Sequence, residues 1–339
     1  MTRFEFQEVE TPGLVSIVIP TRCGAAYIGE TLASIERQSY RDWEVIVVED
    51  GSDDGTREIV EDFRRRCSQR INYSRNPRNL GVSQSRNIAF SQSRGEFIAM
   101  VDSDDRWLPD HLSHALARLR EPGADLVYST VVVFEDRTEL LLCVWGPDGN
   151  DLATFPYGLF RRNFVQPSAT VMRRRVLEDV GPWDVDLRYC EDADFWFRCI
   201  AAGKRFVHIG GCHCLYRRNH PGAATQRMCE TLERFAQVVE RYIDLPGLRR
   251  RDCVRSASKS YARAAICHAQ ADPRKDASAD RRRAAPLMYR AWKLRPTRVK
   301  HLFQAGKFYL KALGTPAPLP AAPAVNLPPQ VATSSQRAA

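Results

Sequence analysis

The sequence lacks any apolar run approaching the ~20 residues that a helix needs to cross a bilayer, which sets aside helical membrane spans. It also lacks an apolar leader: the first residues, MTRFEFQEVETPG, alternate acidic and aromatic side chains. A cytoplasmic protein is therefore expected, able to work as a peripheral protein at the inner membrane surface. Missing too is a second cysteine pair at zinc-site spacing. The ten cysteines are scattered, and only Cys212-His213-Cys214 forms a cluster. Structural zinc is not expected, and free buried thiols are expected rather than disulfides. Alternation on a strand would put Cys212 and Cys214 together on one core-facing side. No RNA- or DNA-binding motif accompanies the basic residues, so no nucleic-acid partner is expected.

What remains is an ordinary globular composition, with 339 residues, 44% hydrophobic and 27% charged. That length allows one large domain or two smaller ones. The net charge of +9 is unevenly spread. Between Arg241 and Lys311 there are 19 Lys and Arg against 5 Asp and Glu, so the rest of the chain is net negative. The basic character belongs to the C-terminal region.

Along the first half, strand-like and helix-like segments alternate. LVSIVIP (Leu14 to Pro20) and the run Val45 to Val48 read as buried strands, INYSRN as a third, and EFIAMVD as a fourth. Helical patterns lie between them, in GAAYIGETLASIERQS, Thr56 to Arg66, and NLGVSQSRNIAFSQSRG. Later segments read as a strand at Tyr128 to Phe134, a strand then a helix in TVMRRRVLEDVG, and a helix in EDADFWFRCIAAG. KRFVHIGG and CHCLYRR read as two further strands, and the chain turns helical from Thr225. This alternation predicts an α/β fold with a mainly parallel sheet flanked by helices. Ligands of such sheets gather beyond the carboxyl ends of the strands. Asp50 follows the second strand, and Asp102 and Asp104 follow the fourth, so the pattern puts them on one rim.

The stretch Asp102-Ser103-Asp104-Asp105 packs three carboxylates into four positions. Asp102 and Asp104 alternate around Ser103 and can turn toward one point. Hard oxygen ligands suit Mg²⁺ or Mn²⁺. A solvated turn, with Asp105 capping the following helix, accounts for the same residues.

In order, the blocks VSIVIPT, SIERQSYRDWEVIVVEDGSDDGT, NLGVSQSRNIAF, GEFIAMVDSDDRWLPDHL and EDADFWFRCIAAG resemble glycosyltransferase family 2, over roughly residues 14 to 220. The resemblance implies a GT-A fold and a metal-dependent, inverting transfer of one sugar from a nucleotide-sugar, with UDP the expected nucleotide. It places Pro20 and Thr21 against the nucleotide base and Asp50 as the acid that contacts it. Glu49 stands where a second Asp is usual, and Arg22-Cys23 replaces the usual aromatic-asparagine pair. The family's Asp-X-Asp falls on Asp102 and Asp104, with Asp104 the direct ligand of Mn²⁺ or Mg²⁺ and Asp102 serving the ribose or the metal's water shell. Its Glu-Asp pair falls on Glu191 and Asp192, with Asp192 as general base; helix-terminal carboxylates favoured by the dipole are the plainer account. YRRNHPGAAT resembles the loop that closes over the diphosphate, with His220 a candidate for the metal and Arg217 or Arg218 for the phosphates. Arg86 is a candidate for the nucleotide side, or else a helix-surface arginine.

Trp145, Tyr157 and Trp183 could stack on sugars or pack in the core. The Gln-X-X-Arg-Trp motif of processive synthases is missing, so addition of a single sugar is expected. The acceptor is expected to be a carbohydrate or a lipid-linked one, in surface polysaccharide, glycolipid or glycoprotein assembly. The expected division is a catalytic domain over 1–224, with a nucleotide half near 14–110 and an acceptor half near 111–224. A basic helical region over 225–313 and a disordered Pro/Ala-rich tail over 314–339 follow. The basic region suits either an interfacial helix offering peripheral membrane contact or a subdomain with a solvated basic face. The competing functions are a non-catalytic nucleotide-sugar or glycan-binding module and a phosphatase of the haloacid dehalogenase type, which also places Asp-X-Asp after a strand.

Overall fold

The computed structural model describes residues 5–6, 10–218, 227–272 and 279–313. The first half alternates as the pattern predicts: β1 (Thr11–Thr21), α1 (Ile28–Glu36), β2 (Trp43–Glu49), α2 (Thr56–Arg66), β3 (Ile71–Arg75), α3 (Val82–Ser91) and β4 (Gly95–Met100). Then come β5 (Arg106–Trp107), α4 (His111–Leu119), β6 (Leu126–Glu135), β7 (Leu141–Trp145), α5 (Gly149–Ala153), α6 (Tyr157–Arg161), β8 (Thr170–Arg173), α7 (Arg175–Val180), α8 (Glu191–Ala201) and β9 (Phe206–Arg218). Four helices close the described chain: α9 (Met228–Arg241), α10 (Arg250–Gln270), α11 (Arg281–Leu294) and α12 (Val299–Leu313).

The strands form one sheet in the order β3-β2-β1-β4-β8-β6-β9-β5, with β7 paired to β6. Strands β3, β2, β1 and β4 are parallel, while β8 runs antiparallel between β4 and β6. Reversal at β8 makes the sheet mixed beyond β4 and sets β6 and β9 beside the parallel half.

Strands with both faces covered read as continuous apolar runs, and β2 (WEVIVVE) is buried at all seven positions. Alternate residues sort to two cores. Val18, Ile46, Val48, Ile98 and Met100 pack with Phe90, Trp183, Phe195 and Trp196. Ile17, Ile19, Val45, Val47 and Ala99 pack on the other face with Leu32, Ile35, Leu112 and Leu116.

KRFVHIGG and CHCLYRR do not form separate strands; they are one strand, β9. Gly210 and Gly211 take positive φ (74° and 63°), and the register against β6 slips between Tyr128↔His208 and Thr130↔Cys212. The Gly-Gly pair is a bulge, which bends a strand without ending it. All ten cysteines are free; Cys214 is buried, but Cys23 and Cys143 are exposed, against the expectation of buried thiols.

The basic helices α9 and α10 pack against the sheet. Phe235, Val238, Val239, Cys253 and Ala257 of α9 and α10 belong to the same core as the sheet. A third, alanine-rich cluster (Ala264, Ala265, Met288, Ala291, Ala305) joins α10, α11 and α12. No helix among the described residues is long and apolar enough to cross a membrane. The Pro/Ala-rich tail lies outside the described residues.

Candidate active site

Parallel pairing fixes the rim. Thr21 lies opposite Glu49 at the ends of β1 and β2, and Val101 N–H donates to Val18 O at the end of β4. Adjacent strands lie ~4.8 Å apart, so Pro20-Thr21, Asp50 and Asp102 leave the sheet side by side. Asp50 N–H donates to Thr21 O at 2.7 Å. The buried Asp50 carboxylate accepts from Asn76 Nδ2 (2.9 Å), Leu80 N–H (2.7 Å) and Gly81 N–H (2.9 Å), which pins the loop before α3 to the rim. Gly51 beside it takes φ +67°, and a Cβ there would sit 2.3 Å from the Arg78 backbone, so only glycine fits this turn. Thr21 is buried, and its hydroxyl finds no partner among the described residues. Cys23, exposed and at φ 53°, donates its N–H to Ser52 Oγ at 2.9 Å.

The four residues after β4 have separate fates. Asp102 donates its N–H to Ser168 Oγ (3.0 Å) and accepts from Arg86 Nη2 (2.7 Å). Asp104 keeps a half-buried side chain, and its carbonyl accepts from Arg217 Nε at 2.9 Å. Asp105 is fully buried, and its Oδ1 accepts Arg217 N–H at 2.9 Å. Burial, then the charges of Asp104 and Asp102, push its carboxyl well above the ordinary value. It does not cap α4, whose N-cap residue is Asp110 without a side-chain cap bond, so the expected capping role is corrected.

The expected phosphate role of Arg217 is corrected as well. Its side chain is buried and donates to Asp136 Oδ1 (2.9 Å) and Glu30 Oε2 (2.7 Å), between the rings of Tyr27 and Phe134. Arg217 therefore fastens the aspartate turn to β9 and α1. Arg218 is half-buried, with its guanidinium 6.0 Å from the Tyr216 ring.

The second acidic group opens α8. Cys190, its N-cap, sits in the left-handed region at φ 60°, an uncommon conformation for a residue with a Cβ. The turn aims Glu191 and Asp192 at the rim, while Asp194 turns away to Arg198 (3.0 Å) and the Tyr242 hydroxyl (2.8 Å). Asp192 accepts from Asn163 Nδ2 (2.6 Å) and Ala193 N–H (2.7 Å).

Arg86 joins the two groups. It is 2% exposed, donates Nη2 to Asp102 and Nη1 to Glu191 Oε1 at 3.0 Å, and lies 4.6 Å over the Trp183 ring. Its guanidinium is thus held between carboxylates and reaches the rim through Asp102. Burial alone would lower the Arg86 pKa, but Asp102 and Glu191 outweigh it and raise it. Burial and neighbouring Asp192 push Glu191 up to about 7, against the pull of Arg86. Burial likewise raises Asp192, partly offset by the Ala193 N–H, Arg86 and Asn163.

Trp183 is core, stacked on Phe195 and covered by Arg86, so it is not a sugar platform. Trp145 and Tyr157 are half-buried, Trp145 under the Arg162 guanidinium (5.0 Å) and Tyr157 against the main core. His220 lies outside the described residues. Sequence reasoning missed Asn163 and Ser168, which position Asp192 and Asp102; neither lies in a recognisable pattern. Among the described residues no group of three or more His, Cys, Asp or Glu is arranged to hold a metal. Asp104 and Asp102 supply hard oxygens at the rim, which fits a divalent cation that completes its shell with water and substrate phosphates.

A sheet of this topology is that of the GT-A glycosyltransferases. TarS of Staphylococcus aureus, solved with UDP-GlcNAc, superposes with a TM-score of 0.62 at 18% identity over 88% of each chain. The mannosyltransferase PcManGT of Pyrobaculum calidifontis, solved with GDP-Man and Mn²⁺, gives 0.54 at 20% identity over 87% of this chain and 86% of that one. At these identities the likeness shows the fold. The family model for glycosyl transferase family 2 matches residues 16–181. The uncharacterized glycosyltransferase MJ1057 of Methanocaldococcus jannaschii is 30% identical over 202 residues, 59% of this chain and 68% of that protein. TarS, a poly(ribitol-phosphate) β-N-acetylglucosaminyltransferase, is 28% identical by sequence over 185 residues, 54% of this chain and 29% of its own. The chain belongs to glycosyltransferase family 2 and is a glycosyltransferase, which replaces the phosphatase and non-catalytic readings.

Proposed function

We propose that the protein transfers a single sugar from a UDP-sugar to an acceptor hydroxyl, with a divalent cation and with inversion at the anomeric carbon. The observation that carries this reading is the buried Arg86 clamp, which ties Asp102 of the donor rim to the acidic pair of α8. Pro20, the hydroxyl of Thr21 and Asp50 take the base; Asp50 still has lone-pair capacity beside its three backbone and amide donors. Asp102 takes the ribose. Asp104 and His220 would hold Mn²⁺ or Mg²⁺, which when bound offsets charge on the leaving diphosphate. Asp192 accepts the proton of the attacking hydroxyl, on the side of the sugar away from the diphosphate. Attack opposite the leaving group inverts the anomeric centre. In this scheme 14–110 is the nucleotide half and 111–224 the acceptor half.

TarS is named for transfer onto a phosphate polymer and was solved with UDP-GlcNAc, which supports a UDP-sugar donor and a polymer acceptor. The Mn²⁺ complex of PcManGT supports the cation. Nucleoside diphosphate release across a panel of UDP-, GDP- and dTDP-sugars with Mn²⁺ or Mg²⁺ tests the proposal. Asp104→Ala is expected to lower release by about 10²-fold or more, and EDTA should do the same to the unaltered protein. Turnover indifferent to both would remove the cation and Asp104 from the scheme. Turnover with no donor in the panel would sink the function itself.

A further inference from the structure

The last described helix carries a surface that the transferase chemistry does not use. At 100° per residue α12 divides into three stripes. Buried His301 and Ala305, together with Phe308, face the alanine-rich cluster. Val299, Leu302, Phe303, Tyr309 and Leu310 form a second stripe about 120° wide, and it is open to solvent. Phe303 is 70% exposed, Leu310 69% and Tyr309 60%. Lys300, Lys307 and Lys311 line one edge of that stripe, all exposed. The surrounding charge is of one sign: residues 281–313 hold ten Lys and Arg and no Asp or Glu.

We propose that this outer face of α12 is a docking surface for anionic lipid bilayers. An apolar stripe that enters the acyl boundary, edged by lysines that reach lipid phosphates, is what an interfacial helix needs. The charge selects the occupant. A second copy would bring the same positive field against itself. A nucleic acid would engage the lysines and leave the aromatic and aliphatic stripe exposed. An anionic bilayer uses both the apolar stripe and its lysine edge. The inference stands independently of the donor and acceptor scheme.

Flotation of the full chain with vesicles tests it, using phosphatidylcholine alone and phosphatidylcholine rich in phosphatidylglycerol. The protein is expected to float with the anionic vesicles and not with the neutral ones. Phe303→Ser combined with Leu310→Ser should cut the bound fraction at least about tenfold, and so should the triple change Lys300→Gln, Lys307→Gln and Lys311→Gln. Both sets replace exposed side chains, so circular dichroism and nucleoside diphosphate release should be unchanged. The proposal is overturned if the protein ignores anionic vesicles, or if the Phe303/Leu310 variant floats as well as the original. It is equally overturned if that variant abolishes a concentration-dependent dimer, which would make a second copy the occupant. Flotation that appears only after removal of residues 314–339 would assign the stripe to the tail and overturn it too.

Discussion

Asp192→Asn is expected to lower turnover by roughly 10²–10⁴-fold, the range a positioned general base contributes, while donor affinity stays within about twofold. The change is nearly isosteric and should leave the start of α8 intact. The Ala193 N–H can still donate to the remaining carbonyl oxygen, and Asn163, whose Oδ1 has no partner among the described residues, can turn to accept from the new amide. Loss of turnover with donor binding retained separates a proton acceptor from a donor ligand. The unaltered enzyme should show turnover rising with pH along a limb centred near 7. Glu191 and Asp192 titrate together, so this limb belongs to the pair. The sign follows from burial: both carboxyls hold their protons to higher pH in the folded protein, and a base must lose its proton to act. Folding stability carries the opposite slope, falling as pH rises from the ordinary carboxylate range to about 7, because the folded state binds the proton more tightly there. Equal turnover by Asp192→Asn at every pH would remove Asp192 from the chemistry.

Arg86→Gln is expected to cost about as much turnover by another route. Removing one partner of a buried ion pair typically costs ~3–5 kcal/mol, because the charges left behind stay desolvated. Here two carboxylates, Asp102 and Glu191, would lose their shared donor. The Arg86 guanidinium is taken up by Asp102, Glu191 and the Trp183 ring, so its action is on position and charge. Its removal should therefore drive the pH limb above 7, since Arg86 is what pulls Glu191 and Asp192 down. Arg86→Lys keeps the charge but loses the fork that spans both carboxylates. It should return the limb toward 7 while recovering only part of kcat. A variant that merely loosens the fold would lower activity without moving the limb, and that result would sink the positioning role.

The parallel half of the sheet and the acidic positions on its rim were legible in the sequence because their signals are local. An apolar run that ends in Asp50 or Asp102 reports both the strand and the rim within a few residues. The connections between those acids were not legible. Arg86 meets a partner 105 positions away, and on sequence alone it has the spacing of any helical arginine. Arg217 looked like a phosphate ligand because its neighbourhood is basic; its partners, Asp105, Asp136 and Glu30, come from three distant segments. Asp105 misled for the same reason, since nothing local shows that it faces inward. Gly210-Gly211 reads as a break because glycine weakens strands, yet a long partner such as β6 carries the strand through the bulge.

The arrangement of thiols gives the molecule a reporter of its own. Cys23 stands exposed on the rim between Thr21 and the Asp50 turn, and Cys143 stands exposed on β7, beside β6 and several strands away. A nucleotide seated against Thr21 and Asp50 would shield the first sulfur and leave the second untouched. The ratio of alkylation at the two positions would then read donor occupancy directly, with each molecule acting as its own control and no substitution needed. A ratio unmoved by any saturating nucleotide would place the base away from Thr21.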